Sequence, residues 1–515
     1  MKKGWGLLLA LTAMVLNAAD IHYDAKADAA VKFAAEDMAR CLSAVTGKTY
    51  QAKAAGVAGD GDIVLEKDSR LRSQEWRLQN KNGKFFIQGG DTFGIVYGVY
   101  AFLEKHVGCS WLAPDTELLP KQADWTLPEI NETGRPAFLR REMYVGEERG
   151  DDRMDPYWRM RNKENQSAAL DMNMRYGSPN DCHCFDRYVK VIKDPKLFGP
   201  RKGGGKCTTL CMTNPEVRKL VLAELIRYIE KDRADSKGQP ECTIPRLYEL
   251  GQTDGPSWPE CWCDSCRKLA ETEGSYAGPN IDFVNYMAEG IKNKYPEIRL
   301  VTFAYSYTMQ PPKNIKTADN VLIRYCGAKL YKPLLPGTEN GKLLQEWGRF
   351  ASKKSIWSYW RTFDGMLCPF VKKRQDIAGE IRFCHKEGVE HYFAENETPL
   401  SRSFAMQQHW LMLKMLENPG QDIEKLNDKF MVGYYGKAAP VLKEYLEYLE
   451  KRETEARTHL DKEFFEKVNT WLDQAEELVK DDPRSLLHVH WERVVVDRTM
   501  YQNLSALLKD RKSVV

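Results

Sequence analysis

Two carboxylates stand where short apolar runs stop, and they are the first candidates for chemistry. Asp254 follows Arg-Leu-Tyr-Glu-Leu-Gly-Gln-Thr (246–253), and Glu395 follows Val-Glu-His-Tyr-Phe-Ala (389–394). An apolar run that breaks into glycine and polar residues is how a β-strand delivers a side chain to a pocket. Comparable positions carry His183, Gln252, Tyr305, Tyr307, Trp360, Arg361, Asp364, Asn396 and Glu397, with Glu147 and Glu148 after an earlier run. Carboxylates, aromatics, one Arg and one His converging on a rim suit glycosidic cleavage. One carboxyl group protonates the leaving oxygen and a second acts as base or nucleophile. The two lie about 5–5.5 Å apart in retaining enzymes and roughly 6.5–9.5 Å apart in inverting ones. On this reading Asp254, Glu395 and Asp364 are the catalytic candidates, and Asp254 is either the general acid or a substrate anchor. His183, Gln252, Tyr305, Tyr307, Trp360 and Arg361 would bind the sugar.

Each residue also has a plainer reading. Asp254 lies between Gly251 and Gly255 and can be a turn residue bonding its own backbone. Asp364 can simply pair with Arg361. His183 sits between Cys182 and Cys184 and can serve a metal, and Glu147 and Glu148 fall in a charged run typical of a solvated loop.

The elements that must position these residues are legible from period and punctuation. Candidate strands fall at 138–145, 168–174, 207–212, 246–250, 298–304, 320–325, 355–359 and 389–393, with amphipathic helices between several of them. Asn214 and Pro215 open one helix reaching Arg233; another runs from Ile281 to Lys294. Eight strands with intervening helices predict a (β/α)8 barrel, TIM-like, over 136–419, with function at the carboxyl ends of the strands; a doubly wound open sheet is the alternative.

Before it, 20–135 reads as a small α/β domain. It has a helix face at Val31, Ala35, Met38, Leu42 and Val45 closed by Gly47, and a hairpin turning at Asn82-Gly83. Gly89-Gly90 before the next helix lacks the lysine and hydroxyl of a phosphate loop and reads as a structural turn. After it, 420–515 reads as charged helices with a stripe at Phe464, Val468, Trp471, Ala475, Leu478 and Val479. Residues 1–19, with Lys2 and Lys3 before an apolar run from Leu7 to Leu16, read as a secretory signal peptide. The expected location is therefore secreted or periplasmic.

A net charge of +3 with both signs interspersed excludes a nucleic-acid partner, and no later segment reads as a membrane span. Of 13 cysteines, Cys41, Cys109, Cys326 and Cys384 stand alone and read as buried. Cys182, Cys184, Cys207, Cys211, Cys261, Cys263 and Cys266 cluster. Cys261-x-Cys263-x-x-Cys266 is one ligand short of a four-cysteine zinc site, which Cys182, His183, Cys184 or Cys211 would complete. It reads as a structural loop clamp, by disulfide or metal. No cofactor is called for and no catalytic metal ligand is assigned.

Residues 86–104, Phe-Ile-Gln-Gly-Gly-Asp-Thr-Phe-Gly-Ile-Val-Tyr-Gly-Val-Tyr-Ala-Phe-Leu-Glu, and Gly108-Cys-Ser-Trp-Leu-Ala-Pro resemble the accessory domain that precedes the barrel of family 20 β-hexosaminidases and family 67 α-glucuronidases. Leu210-Cys-Met-Thr-Asn-Pro-Glu-Val, Gly251-Gln-Thr-Asp-Gly with its cysteines, Ala304-Tyr-Ser-Tyr-Thr, Glu417-Asn-Pro-Gly-Gln-Asp and the Tyr-Tyr-Gly-Lys-Ala-Ala of 430–439 resemble the family called domain of unknown function 4838. The resemblance implies an exported carbohydrate-active protein: a glycoside hydrolase acting on an oligo- or polysaccharide, amino-sugar or uronic-acid units included. The hexosaminidases carry an Asp-Glu pair at the end of strand four; this chain departs from it with Thr253-Asp254-Gly255. A non-catalytic carbohydrate-binding protein on the same barrel is the alternative. A metal-dependent hydrolase would need His183 and the cysteines to meet.

Overall fold

The computed structural model describes residues 17–144, 155–166, 168–202, 210–254, 260–361, 369–396, 402–452 and 460–510. The chain forms two compact units: Met1–Ser110 with Glu117–Arg135, and Trp111–Thr116 with Pro136–Val515. The first contains β1 (Asn17–Tyr23), α1 (Ala29–Thr46), β2 (Thr49–Ala54), β3 (Ile63–Lys67), β4 (Trp76–Lys81), β5 (Lys84–Gly89) and α2 (Thr92–Phe102). A ribbon of β6 (Ser110–Ala113) and β7 (Thr116–Leu118) precedes β8 (Asn131–Gly134). The sheet order is β2-β1-β3-β5-β4-β8.

Val31, Ala35, Met38, Leu42 and Val45 are all buried on one face of α1. Gly47 ends that helix in the left-handed region at φ 72°, its N–H on the Ser43 carbonyl. The β4–β5 hairpin turns at Asn82 (φ 52°) and Gly83 (φ 75°), the two positive-φ positions a tight two-residue turn demands. Gly90 is required by close approach, since a Cβ there would lie 2.1 Å from the Arg72 carbonyl oxygen. The Asp91 carboxylate then caps α2 by accepting from the Gly94 N–H at 2.8 Å.

The second unit opens with β9 (Arg140–Tyr144), α3 (Pro156–Arg161), α4 (Phe185–Val189), α5 (Pro215–Asp235) and β10 (Leu247–Glu249). It continues with α6 (Asp264–Glu273), α7 (Ala277–Lys292), β11 (Arg299–Ala304), β12 (Val321–Ala328), α8 (Glu339–Trp347), β13 (Lys354–Tyr359), α9 (Arg374–Lys386) and β14 (Val389–Glu395). The helical end comprises α10 (Ala405–Glu417), α11 (Ile423–Tyr435), α12 (Ala439–Arg452), α13 (Lys462–Val479) and α14 (Pro483–Asp510).

Six strands pair in the order β10-β11-β12-β13-β14-β9, every pair parallel. The sheet is a curled parallel half-barrel. Among the described residues, two of the eight expected strands are not formed. In 168–174, Leu170 (φ 54°) and Asp171 (φ 61°) take left-handed backbone that no strand accepts. Just beyond it, Tyr176 makes an isolated parallel bridge to Leu247. Leu210, Cys211 and Met212 enter a buried cluster with α5 instead of a sheet, and 207–209 lie outside the described residues.

On α13 the buried stripe is Phe464, Val468, Leu472, Ala475 and Val479. The expected Leu478 is 46% exposed, and Trp471 turns its indole N–H to Glu444. The stripe follows the three- and four-residue steps of one helix face, which Leu472 satisfies and its neighbour Trp471 does not. Among the described residues, no helix is long and apolar enough to cross a membrane.

Candidate active site

Strand alternation builds the site. Arg140, Glu142 and Tyr144 on β9, Arg324 and Cys326 on β12, Trp357 and Tyr359 on β13, and Phe393 and Glu395 on β14 are alternate residues, and all line one cavity of about 1230 Å³. The register sets Tyr144, Glu395 and Tyr359 abreast at the strand ends, with Glu142, Phe393 and Trp357 one layer below. His183, Asp254 and Tyr305 join from the loops.

Glu395, the last residue of β14, is 7% exposed. Its Oε2 accepts the Trp357 indole N–H at 2.7 Å and its Oε1 lies 3.3 Å from the Arg361 guanidinium. Two donors on different oxygens leave the carboxylate one orientation. Asp254 lies on the exposed rim and accepts from the Tyr305 hydroxyl at 3.1 Å. Burial pushes the Tyr305 phenol up to about 12, with Asp254 and then Glu395 adding to it. Burial raises Tyr359 as well, and the charges of both carboxylates contribute there too. Two tyrosines therefore feel both Asp254 and Glu395.

His183 is held by its loop. Its Nδ1 donates to the Gln252 carbonyl at 2.7 Å, and the Phe185 N–H bonds the Gly251 carbonyl at 3.0 Å. A Cβ on Gly251 would lie 1.9 Å from the Cys182 carbonyl oxygen, so glycine there lets the two loops meet. The imidazole packs against both Phe303 at 5.2 Å and Trp357 at 6.4 Å. Trp357 also meets Phe393 edge-on at 4.5 Å, completing an aromatic wall.

Other expected site residues sit elsewhere. Gln252 is 1% exposed; its carboxamide donates to the Tyr305 carbonyl at 2.6 Å and accepts the Thr308 hydroxyl at 2.8 Å, tying two strand ends together. Trp360 is fully buried, its N–H on Ser358 and its ring near Lys372 and Arg402, so it offers no face to a sugar. Tyr307 packs edge-on against Tyr276, outside the cavity lining. Arg361 reaches Glu395 without lining the cavity. Asp364, Glu147, Glu148 and Glu397 lie outside the described residues. Among the described residues, His183 belongs to no group of metal-ligating side chains.

A charged floor went unread in the sequence. Arg140 donates to Glu142 at 2.8 Å and Arg324 to Glu249 at 2.5 Å. The Tyr176 ring packs against both guanidiniums, 4.2 Å from Arg140 and 5.1 Å from Arg324, and its hydroxyl bonds Arg324. Burial opposes charge on both arginines. Glu142 first for Arg140, and Tyr176 with Glu249 for Arg324, outweigh it, so both stay above the ordinary guanidinium value. The signal was present: residues two apart in β9 and β12 must share a face.

The second unit is thus a parallel α/β half-barrel whose strand ends carry carboxylates, tyrosines and an aromatic wall around a cavity. The chain belongs to the family described as Domain of unknown function (DUF4838), whose profile matches residues 111–447. In fold it is similar to a family GH115 4-O-methyl-α-glucuronidase with specificity for decorated arabinogalactans. Identity is 12%, the TM-score is 0.57, and 97% of this chain and 76% of that one are covered. Weaker likenesses are a Bacteroides fragilis β-N-acetylhexosaminidase (12% identity, TM-score 0.42, 85% and 92% covered) and a structure titled CpGH84B (12%, 0.46, 94% and 86%). No curated protein sequence matches the chain.

Proposed function

We propose that this protein is an exported glycoside hydrolase that cleaves O-glycosidic bonds of an oligo- or polysaccharide, with Asp254 and Glu395 as its carboxylate pair. The observation that carries the reading is one cavity lined by both carboxylates, with the Tyr305 hydroxyl donating to Asp254 and Tyr359 abreast of Glu395. Glu395, oriented by Trp357 and Arg361, suits the base or nucleophile. Asp254, on the rim beside the Tyr305 hydroxyl, suits proton delivery to the leaving oxygen. Glu142 and Glu249 are engaged by arginines and serve the floor. The sugar would stack on Trp357 and meet His183 and the floor through its hydroxyls. The fold shared with a glucuronidase supports the class of chemistry, and the apolar leader at 7–16 supports export.

Arg140 and Arg324 are the floor groups able to meet an anionic substituent, and each already holds a carboxylate. The deciding experiment is therefore a screen of aryl glycosides of neutral sugars, N-acetylated amino sugars and uronic acids. Release of the aryl alcohol is expected with one class, and loss of it in both Asp254→Asn and Glu395→Gln. Full activity in either variant removes that residue from the pair.

A further inference from the structure

Seven residues beyond Asp254 along the chain, four cysteines meet. The sulfurs of Cys211, Cys261, Cys263 and Cys266 all lie within 4.8 Å of one another. Cys211, Cys261 and Cys266 are buried, Cys263 is half-buried, and all four are free thiols. Cys211 comes from the turn before α5; the other three come from the turn into α6. Of the partners open in the sequence, the fold selects Cys211, because Cys184 is spent on the Glu249 carbonyl at 2.9 Å and Cys182 lines the cavity.

We propose that these four cysteines bind one structural zinc ion. Sulfurs bonded to zinc at about 2.3 Å in a tetrahedron stand about 3.8 Å apart, and Cys211 Sγ to Cys263 Sγ is 3.7 Å. A disulfide would need about 2.05 Å. Four thiolates, and no water or carboxylate, make a closed site for a soft tetrahedral ion, without the open position catalysis requires.

The surroundings suit the thiolates. Cys263 is the N-cap of α6, its sulfur accepting the Cys266 N–H at 3.5 Å, where the helix dipole favours negative charge. The Thr213 hydroxyl lies 3.1 Å from Cys266 Sγ and 3.9 Å from Cys263 Sγ, as a donor holding the ligands. Gly199 fits the cluster closely, since a Cβ there would lie 2.3 Å from Cys261 Sγ. Binding breaks four S–H bonds, forms four Zn–S bonds and sends the protons to solvent, with no change of oxidation state. The ion would staple the starts of α5 and α6 together, beside the loop that carries Asp254.

The test uses the full-length protein purified without chelator. Elemental analysis is expected to find about one zinc per chain, falling to about a tenth or less in Cys211→Ser and Cys263→Ser. Because those variants can fail to fold, the unmodified protein is also exchanged with cobalt(II). Thiolate-to-cobalt charge-transfer absorption with the intensity of a tetrahedral site is expected, together with release of zinc when a mercurial titrates the thiols. Background metal content with two disulfides among these cysteines in a non-reducing peptide map would overturn the proposal. So would iron in place of zinc, or cobalt bound without the thiolate bands.

Discussion

Two buried ion pairs in the same unit make an instructive contrast. Glu380 on α9 and Lys372 are both fully buried, 3.0 Å apart, and Glu380 also accepts from the Tyr392 hydroxyl (2.5 Å), the Ser358 hydroxyl (2.7 Å) and the Leu334 N–H (3.0 Å). Every lone pair is used, and Trp360 closes over Lys372. Arg324 and Glu249 are similarly short but line a cavity, and Arg324 Nε has no hydrogen-bond partner among the described residues. The first pair is finished and can only hold the fold. The second lines the wall of a cavity and leaves the buried Arg324 Nε unpaired, so its polar groups are less completely satisfied than those of the sealed pair.

Five substitutions would break or sharpen that contrast. The largest effect is expected at Glu395: Glu395→Gln should lower kcat/KM by about 10²–10⁴-fold on any aryl glycoside the protein cleaves. Its urea midpoint should barely change, and a collapse in stability would move Glu395 to the structural class. Glu380→Ala should cost about 3–5 kcal/mol in urea unfolding, because it strands a buried ammonium. Glu249→Gln should cost less, about 1–3 kcal/mol, since water in the cavity can serve Arg324; equal losses would erase the distinction. Trp357→Ala should raise KM several-fold, about 0.5–1.5 kcal/mol of aromatic contact. Trp360→Phe should leave KM alone and register only in thermal unfolding.

The sealed pair also predicts a pH dependence. Burial alone would raise the Glu380 carboxyl, but Lys372 and the three other donors outweigh it and hold the carboxyl below its usual range. With the folded value below the unfolded one, about 4.3, its stabilisation is complete above that pH and is lost as pH falls through the folded value. The stability gap between the protein and Glu380→Gln should therefore be widest near neutrality and narrow below about pH 4. A gap independent of pH would deny Glu380 its charge.

Much of this was legible in the residues. Six strand runs were placed within a few residues of their observed ends, as was the α5 start at Asn214-Pro215, because apolar period and capping chemistry are local. Asp254 and Glu395 followed because strand ends are local too. The floor was missed because Arg140, Glu142 and Arg324 lie inside strands, where charge argues against burial until a partner is known. Trp360 was expected to face the sugar and Trp357 was missed, because which of the two faces the cavity depends on the phase of β13.

By itself, then, the sequence determined the parallel α/β pattern, the caps, the hairpin, and that Glu395 closes a strand while Asp254 follows one, all set by neighbours within a few positions. Only the tertiary structure decided that the expected strand at 168–174 gives way to turns around Leu170 and Asp171, and that Leu210–Met212 pack against α5. It alone closed two arginine–glutamate pairs on Tyr176, and it alone brought Cys211 to three cysteines some fifty residues away. Those outcomes rest on contacts between distant segments, whose partners no local spacing names.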